Sequence, residues 1–367
     1  MRKVGMLICR LQPRHIGHNA IIQQAASQCD HLMVLIGSAN RPRSIRNPWT
    51  YSERMTDLVS VLPKLTPKGF SVYPLNDYRY ANAQWTSDVE ASIVHLMASN
   101  PPYFSGYSME PILFGHDKPG NDYLKDFRHW KFINLDSPHP GCSTDIREEM
   151  FDVLSRTGAS LANHLDANVD HPHSDAKLSS IHPHLIDDWR WLEAEQKTFA
   201  DYKFKETLQF NCSDAVVECD GHILLIQRGN SPGKGCWALP GGFKENNETF
   251  ADCAFRELTE ETNLRVPEKK LRGSVQKVEL FDDPHRGHGI PRNTVAYYIK
   301  IEADPNGEKP RVTPKSDAVE AKWWPFYDVL NKLHMHDDHQ DIIYKMTGSV
   351  PMPAHLSDFY TKYSRTL

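Results

Sequence analysis

Two short apolar runs with a helix-length segment between them open the chain, and this restricts the fold more than any other feature. Lys3 to Arg10 reads as a buried strand, Ala20 to Cys29 as a helix, and His31 to Ile36 as a second strand that stops at Gly37-Ser38. Strands joined by a crossover of this length pair in parallel, because a tight turn can join only antiparallel neighbours. Pro111 to Phe114 and Phe132 to Leu135 continue the pattern, and each run ends in a polar loop bearing Gly or Pro. Open α/β sheets hold their ligands at the carboxyl ends of the strands, so these loops are where chemistry is expected.

The first such loop reads Arg10-Leu11-Gln12-Pro13-Arg14-His15-Ile16-Gly17-His18. His15 and His18 stand three apart at a helix start and share a helix face. The backbone N–H groups of a helix N-terminus attract anions, so two imidazoles there make a phosphate cradle. Gly17 lets a nucleotide approach the backbone closely. A second helix start reads Gly141-Cys142-Ser143-Thr144-Asp145-Ile146-Arg147. Ser143 and Thr144 suit the N-cap position, and Arg147 on the first turn can fork onto phosphate oxygens. Plain caps and solvated surface side chains are the alternative for each motif taken alone.

The texture changes beyond a polar stretch from Asn163 to Ser180, which reads as a surface loop, and a helix expected over Pro183 to Lys205. Strand-like runs at Val216 to Cys219 and Ile223 to Gln227 flank Asp220-Gly221, a two-residue hairpin signal. A helix over Glu248 to Thr262, a strand over Thr294 to Ile301 and a helix over Tyr327 to Lys332 follow. Glu257, Glu260 and Glu261 fall at i, i+3 and i+4, so three carboxylates crowd one helix face. Like charges at that spacing destabilise a helix by ~0.2–0.5 kcal/mol per pair, whereas a hard divalent cation seeks such an oxygen cluster. A solvated acidic face is the bland alternative. Arg256 is placed to orient these carboxylates and to pair with Glu248. Asn263 falls where a left-handed residue would end the helix.

Composition narrows the classes. The chain has 367 residues, which suits two domains, and a net charge of -5 without blocks of like charge, which argues against a nucleic-acid binder. The seven cysteines are scattered and never form a C-x-x-C pair, so a reducing cytoplasm is expected rather than a disulfide or zinc framework. The start lacks the apolar core and cleavage site of a signal peptide, and no run approaches the ~20 residues of a membrane span.

The two phosphate motifs together resemble the H-x-G-H and S-T-x-I-R signatures of the nucleotidyltransferase superfamily. The residues between them are similar to archaeal-type NMN adenylyltransferases. The resembling stretches are Gly37-Ser38-Ala39-Asn40, Arg46-Asn47-Pro48-Trp49-Thr50-Tyr51-Ser52-Glu53-Arg54, Asn76-Asp77-Tyr78 with Asn82 and Trp85, and Gly115-His116-Asp117-Lys118. The resemblance covers about residues 1–155. It implies that the phosphate of NMN attacks the α-phosphate of ATP to give NAD and pyrophosphate. His15, His18 and Arg147 would be catalytic. Arg10, Gln12, Gly17, Gly115, Asp117, Ser143 and Thr144 would contact the nucleotides, with Trp85 stacking on the nicotinamide and Asn82 bonding its amide. Arg14 departs from the pattern and would add a cation beside the phosphates.

Gly242 to Leu264 resembles the Nudix box nearly in full, with Trp237 to Gly242 as its lead-in. The stretches Asp283 to Arg286, Arg292 to Tyr297 and Ser316 to Trp323 are similar to ADP-ribose-type members. The whole arrangement resembles the bifunctional NMN adenylyltransferase/Nudix hydrolases. The expected fold is α/β: a Rossmann-like nucleotidyltransferase domain with a parallel sheet over 1–160, a loop and linking helix over 161–210, and an α+β Nudix domain over 211–367. ADP-ribose would be split to AMP and ribose 5-phosphate, with NADH or an ADP-sugar as the alternative substrate. Mg²⁺, or Mn²⁺ in its place, would be held by Gly241, Glu257, Glu260 and Glu261. Arg292 would contact substrate. The base would be Asp317, Glu320 or a box glutamate such as Glu261. The partners implied are ATP, NMN, NAD and ADP-ribose, with no nucleic acid or membrane, in an assembly of identical chains. Two rivals are weaker. A Nudix-type transcription repressor needs a basic DNA-reading helix, and the residues after Trp323-Trp324 are not basic. Another phosphate acceptor for the transferase does not explain Trp85. His334, His336 and His339 with Asp337-Asp338 are spaced irregularly and are read as surface or packing residues, not as a metal site.

Overall fold

The computed structural model describes residues 1–66, 68–99, 104, 108–116, 126–127, 129–136, 142–157, 180–203, 207–358 and 360–365. They form two compact units, Met1–Ile186 with Pro353–Leu367, and Asp187–Met352.

The first unit runs β1 (Arg2–Cys9), α1 (Ile16–Ser27), β2 (His31–Ile36), α2 (Tyr51–Leu65), β3 (Gly69–Pro74), α3 (Asn82–Ser99), β4 (Met109–Gly115), β5 (Lys131–Asn134) and α4 (Ser143–Thr157). Its strands lie in the order β3-β2-β1-β4-β5, all parallel. Every residue of β2 and β3 is buried, as expected of parallel strands covered on both faces. Strand alternation sorts the core. Leu7, Val34 and Ile36 pack with Ile22 of α1 and Leu58 and Leu62 of α2, while Met6, Met33 and Leu35 pack with Val89, Ile93 and Leu96 of α3. The order reverses between β1 and β4, so a crevice opens at their carboxyl ends. The chain segments there are the loop from Arg10 to His15 and the end of β4 at Gly115.

Composition and periodicity left α2 unread. Its buried face is Tyr51, Arg54, Leu58 and Leu62, an apolar stripe with a cation in it, and Pro63 interrupts its last turn. Its start is fixed by a capping box in which Thr50 accepts from the Glu53 N–H and Glu53 from the Thr50 N–H. The segment after residue 352, which sequence texture groups with the second domain, packs in the first unit instead. Its strand β13 (Tyr363–Arg365) pairs antiparallel with β3.

Two buried histidines make this unit sensitive to acid. His31 and His355 are 0% and 2% exposed, and burial lowers each pKa from 6.5 to about 4, with His95 and Lys362 adding to the effect at His355. A base whose folded pKa is depressed contributes stability that is present above its unfolded pKa and lost as pH falls through the folded one. The first unit is therefore expected to lose thermal stability between about pH 6.5 and 4, and His355→Gln to reduce that loss. Melting curves recorded from pH 7 downward check this, and a flat profile would contradict it.

The second unit contains the larger part of α5 (Pro183–Thr198), which ends before the expected Lys205. It continues with β6 (Phe210–Cys219), β7 (His222–Arg228), β8 (Trp237–Ala238), β9 (Gly241–Phe243), α6 (Phe250–Thr262), α7 (Glu268–Gly273), β10 (Val275–Phe281), β11 (Arg292–Ile301), β12 (Ala318–Pro325), α8 (Phe326–Asn331) and α9 (His339–Thr347). The sheet order is β10-β11-β6-β7-β12. Only β11 and β6 pair in parallel along that path, which makes a mixed sheet. Asp220 and Gly221 both have left-handed φ, 44° and 73°, as the two-residue hairpin between β6 and β7 requires. Val217, Leu224 and Ile299 of the sheet pack on Phe255 and Leu258 of α6, so the same helix turns its acidic edge away from the core. Among the described residues no helix is long and apolar enough to cross a membrane.

Candidate active sites

The first site is built on the N-terminus of α1. His15 is the N-cap, and its Nδ1 accepts from the Gly17 N–H at 3.1 Å. His18 Nδ1 accepts from the His15 N–H at 3.3 Å, and the two rings lie 4.0 Å apart. An imidazole whose Nδ1 accepts carries its proton on Nε2 when neutral, so each ring is a donor at its far edge. The geometry makes the histidines helix caps and donors together.

Arg147 is 6% exposed and donates to the Gln12 carbonyl and to Thr144 Oγ1. Burial first, and then the charges of Arg10 and Arg46, lower its pKa to about 10. Cations gathered against their mutual repulsion attract an anion. Ser143 opens α4, so Cys142 holds the cap position, and the Ser143 hydroxyl donates to the Pro13 carbonyl at 3.0 Å. The expected capping role of Ser143 and Thr144 is corrected accordingly: the Ser143 hydroxyl ties α4 to the phosphate loop, and the Thr144 hydroxyl accepts from Arg147 within α4. Gln12 is 1% exposed and exchanges two hydrogen bonds with the backbone of Trp49.

Arg14 is not a cation offered to the site. It is 5% exposed and forms a two-pronged pair with Asp57, at 2.7 and 3.0 Å, with Asn19 on its third nitrogen. The carboxylate neutralises it and locks the loop to α2. Arg54 is a functional support that the sequence reading quoted without giving it a role. It is 3% exposed and donates to the carbonyls of Arg10, Gly37, Ser38 and Thr50, which fixes the carboxyl ends of β1 and β2. Asp77 does similar work at Ser38, accepting from its N–H at 3.1 Å and its hydroxyl at 2.6 Å. A charged residue inside an otherwise apolar helix face was the available signal for Arg54.

Asn82 begins α3 in an exposed position, and Trp85 lies one turn on, partly buried and edge-on to Phe127 at 6.0 Å. Gly115 ends β4 and is buried, and His116 Nδ1 lies 3.0 Å from the Leu135 carbonyl. Arg10 is exposed and Gly17 buried. Asp117, Lys118, Gly141 and most of the loop expected over 163–180 lie outside the described residues.

The second site is built on α6 and β9. Arg256 grips Glu248 with two nitrogens, at 2.8 and 3.0 Å, and donates to Glu257 at 2.9 Å and Glu260 at 3.1 Å. Glu261 is 7% exposed and accepts from the Gly241 N–H at 3.0 Å. Burial raises its pKa to about 8, and the carboxylates of Glu257 and Asp214 push in the same direction. The adjoining glycines are required by space. A Cβ on Gly242 would lie 2.4 Å from Glu257 Oε1, and one on Gly241 2.1 Å from Asp214 Oδ1. Asp214, bonded by Thr294 Oγ1 at 2.6 Å, is a carboxylate the sequence reading missed. Asn263 adopts the left-handed conformation, φ 43° and ψ 40°, and ends α6.

Among the described residues no three acidic or imidazole groups stand close enough together to hold a cation as they are, since Arg256 engages Glu257 and Glu260. The donor chemistry nevertheless fits a hard divalent cation, because Glu261 is a buried carboxylate crowded by two others. Glu320 is exposed on β12 opposite Gln227, and no hydrogen bond or ion pair joins it to the box. The Arg292 guanidinium is held by Glu195 and the carbonyls of His288 and Ile290, and is ringed by Trp191, Phe210 and Phe243. His339 is 9% exposed, and its Nδ1 accepts from the Leu239 N–H at 2.9 Å, which braces the lead-in to Gly241.

Residues 213–346 match the family described as NUDIX domain, and residues 8–94 match the family described as Cytidylyltransferase-like. An ADP-ribose pyrophosphatase of Methanocaldococcus jannaschii is 38% identical over 130 residues, which are 35% of this chain and 68% of that protein. A nicotinamide-nucleotide adenylyltransferase of Halobacterium salinarum is 35% identical over 109 residues, 30% of this chain and 56% of that protein. The chain thus spans little more than half the length of that second relative. A crystal structure of a bifunctional NMN adenylyltransferase/ADP ribose pyrophosphatase from Francisella tularensis shares the fold, with a TM-score of 0.75 at 24% identity over 95% of this chain and 99% of that one. The chain belongs to the NUDIX family through its second unit, and its residues 8–94 are similar to the cytidylyltransferase-like family.

Proposed function

We propose that the chain is a bifunctional enzyme of NAD metabolism, transferring AMP from ATP to NMN in its first unit and splitting ADP-ribose in its second. The transferase reading is carried by the two imidazoles capping α1 beside Arg10, Arg46 and Arg147 at the reversal point of the sheet. The NMN phosphate attacks the α-phosphorus of ATP and pyrophosphate departs. Such transfer is positioning plus charge stabilisation. The Nε2 donors of His15 and His18 meet the phosphate oxygens as charge develops, and Arg147 holds the departing pyrophosphate. Asn82 and Trp85, on one face of α3, hold the nicotinamide end. Similarity to nicotinamide-nucleotide adenylyltransferases supports this acceptor.

The hydrolase reading is carried by the box carboxylates around Arg256. A divalent cation, Mg²⁺ or Mn²⁺, would be held by Glu257, Glu260 and Glu261 beside Gly241, and would supply positive charge to the pyrophosphate and acidify water. Arg256 keeps the carboxylates oriented, and Asp317, Glu320 or a box glutamate such as Glu261 would take the proton from the attacking water. The test offers the purified chain ATP with NMN, nicotinate mononucleotide or pantetheine phosphate, and separately ADP-ribose, NADH and ADP-sugars with either metal. A chain inert to every acceptor, or to every ADP-linked compound, sinks the corresponding half.

Trp85→Ala is expected to raise the KM for NMN well above its effect on the KM for ATP. Stacking on a flat ring contributes roughly 1–3 kcal/mol, by analogy with base–aromatic platforms. Equal rises for both substrates would assign Trp85 to packing against Phe127 alone.

A further inference from the structure

The last residues of the chain bring side chains to the first unit, although the whole second unit intervenes in sequence. Tyr363 stacks on Phe70 with ring centres 5.6 Å apart, while β13 pairs with β3. The Tyr51 hydroxyl donates to the Thr361 carbonyl at 2.8 Å, and its ring meets that of Tyr360 edge-on at 5.5 Å. Tyr51 is the first residue of α2, and Arg54 lies one turn further along. The Arg54 charge acts on both phenols, which burial otherwise pushes above their ordinary range. Arg54 itself holds the carbonyls of Arg10, Gly37 and Ser38, at the ends of β1 and β2 where the phosphate loop begins.

We propose that the C-terminal segment is a working part of the first site: Tyr360 packs on Tyr51 and so holds the first turn of α2, from which Arg54 sets the ends of β1 and β2 for a bound nucleotide. Tyr360 is then a positioning residue. A buried guanidinium keeps short bonds to carbonyls only while water is kept from it, because water competes for the same donors. The edge-on contact of Tyr360 with Tyr51 and the bond from Tyr51 to Thr361 hold the C-terminal segment against this first turn of α2, one turn from Arg54. The inference rests on the reading of this site as an ATP site.

The experiment measures ATP binding to the full chain by calorimetry without divalent metal, together with AMP transfer to NMN and hydrolysis of ADP-ribose. Tyr360→Ala is expected to weaken ATP binding on the order of ten-fold and to raise the KM for ATP more than it lowers kcat. Hydrolysis should be unchanged, and Tyr360→Phe, which keeps the ring, should bind ATP as the parent does. Tyr51→Phe loses only the anchor and should show a smaller weakening in the same direction. Parental ATP binding in a folded Tyr360→Ala chain overturns the proposal, and so does a Phe variant as impaired as the Ala variant. If Tyr360→Ala fails to fold its first unit, Tyr51→Phe decides, and parental ATP binding there counts against the proposal. A parent chain that binds ATP without adenylylating NMN removes the acceptor assignment and leaves this inference standing. A parent that binds no ATP removes both.

Discussion

His18→Ala is expected to lower AMP transfer on the order of 10²–10³-fold, the usual cost of removing one donor to a developing oxyanion, while ADP-ribose hydrolysis is retained. The two candidate sites lie in separate compact units. The structure adds a complication that the motif alone does not show. His18 Nδ1 accepts from the His15 N–H, so the alanine also removes half of a capping box, which costs roughly 1 kcal/mol. His18→Asn separates the two roles, because a short amide oxygen can still cap the helix but cannot place a donor where Nε2 stands. The asparagine chain should melt close to the parent and remain as slow as the alanine chain. A His18→Asn enzyme that recovers parental transfer would assign the imidazole to the helix end and not to the phosphates.

Glu261→Gln is expected to reduce ADP-ribose hydrolysis by orders of magnitude and to weaken binding of Mg²⁺ or Mn²⁺, with AMP transfer untouched. Its stability should move the other way. Glu261 is buried with its pKa raised from 4.5 to about 8, first by burial and then by Glu257. An acid whose folded pKa is raised contributes stability that is present below its unfolded pKa and lost as pH rises through the folded one. In chelator the parent should therefore lose stability from about pH 4.5 up to about pH 8. The glutamine chain cannot ionise there, so it should melt above the parent at and beyond the upper end of that window. A residue serving only the fold would lower stability when changed, so the opposite signs separate a ligand from a scaffold. A Glu261→Gln chain with parental hydrolysis, or one melting below the parent at alkaline pH in chelator, would remove Glu261 from the metal-binding set.

The sequence by itself determined the elements whose signals are local. The opening strand, helix and strand follow from apolar runs of the right length, and β2 occupies His31–Ile36, the residues read for it. The hairpin at Asp220-Gly221 follows from two residues that accept positive φ, and the end of α6 from an asparagine that does the same. Arg256 could be paired with Glu248 in advance, because the two opposite charges stand just before and within one helix.

Only the tertiary structure decided which polar groups face which. Arg14 reads as a spare cation until Asp57, 43 positions away, closes on it with two bonds. Arg54 has no role in the sequence until the carbonyls of Arg10, Gly37 and Ser38, just past the ends of β1 and β2, converge on it. Asp214 enters the acidic cluster only because β6 pairs with β9, which sets Asp214 opposite Gly241. The C-terminal strand joins β3 across the whole intervening second unit. In each case the partner is remote in sequence. Burial of charge and strand pairing depend on what folding brings close, and local periodicity carries no record of it.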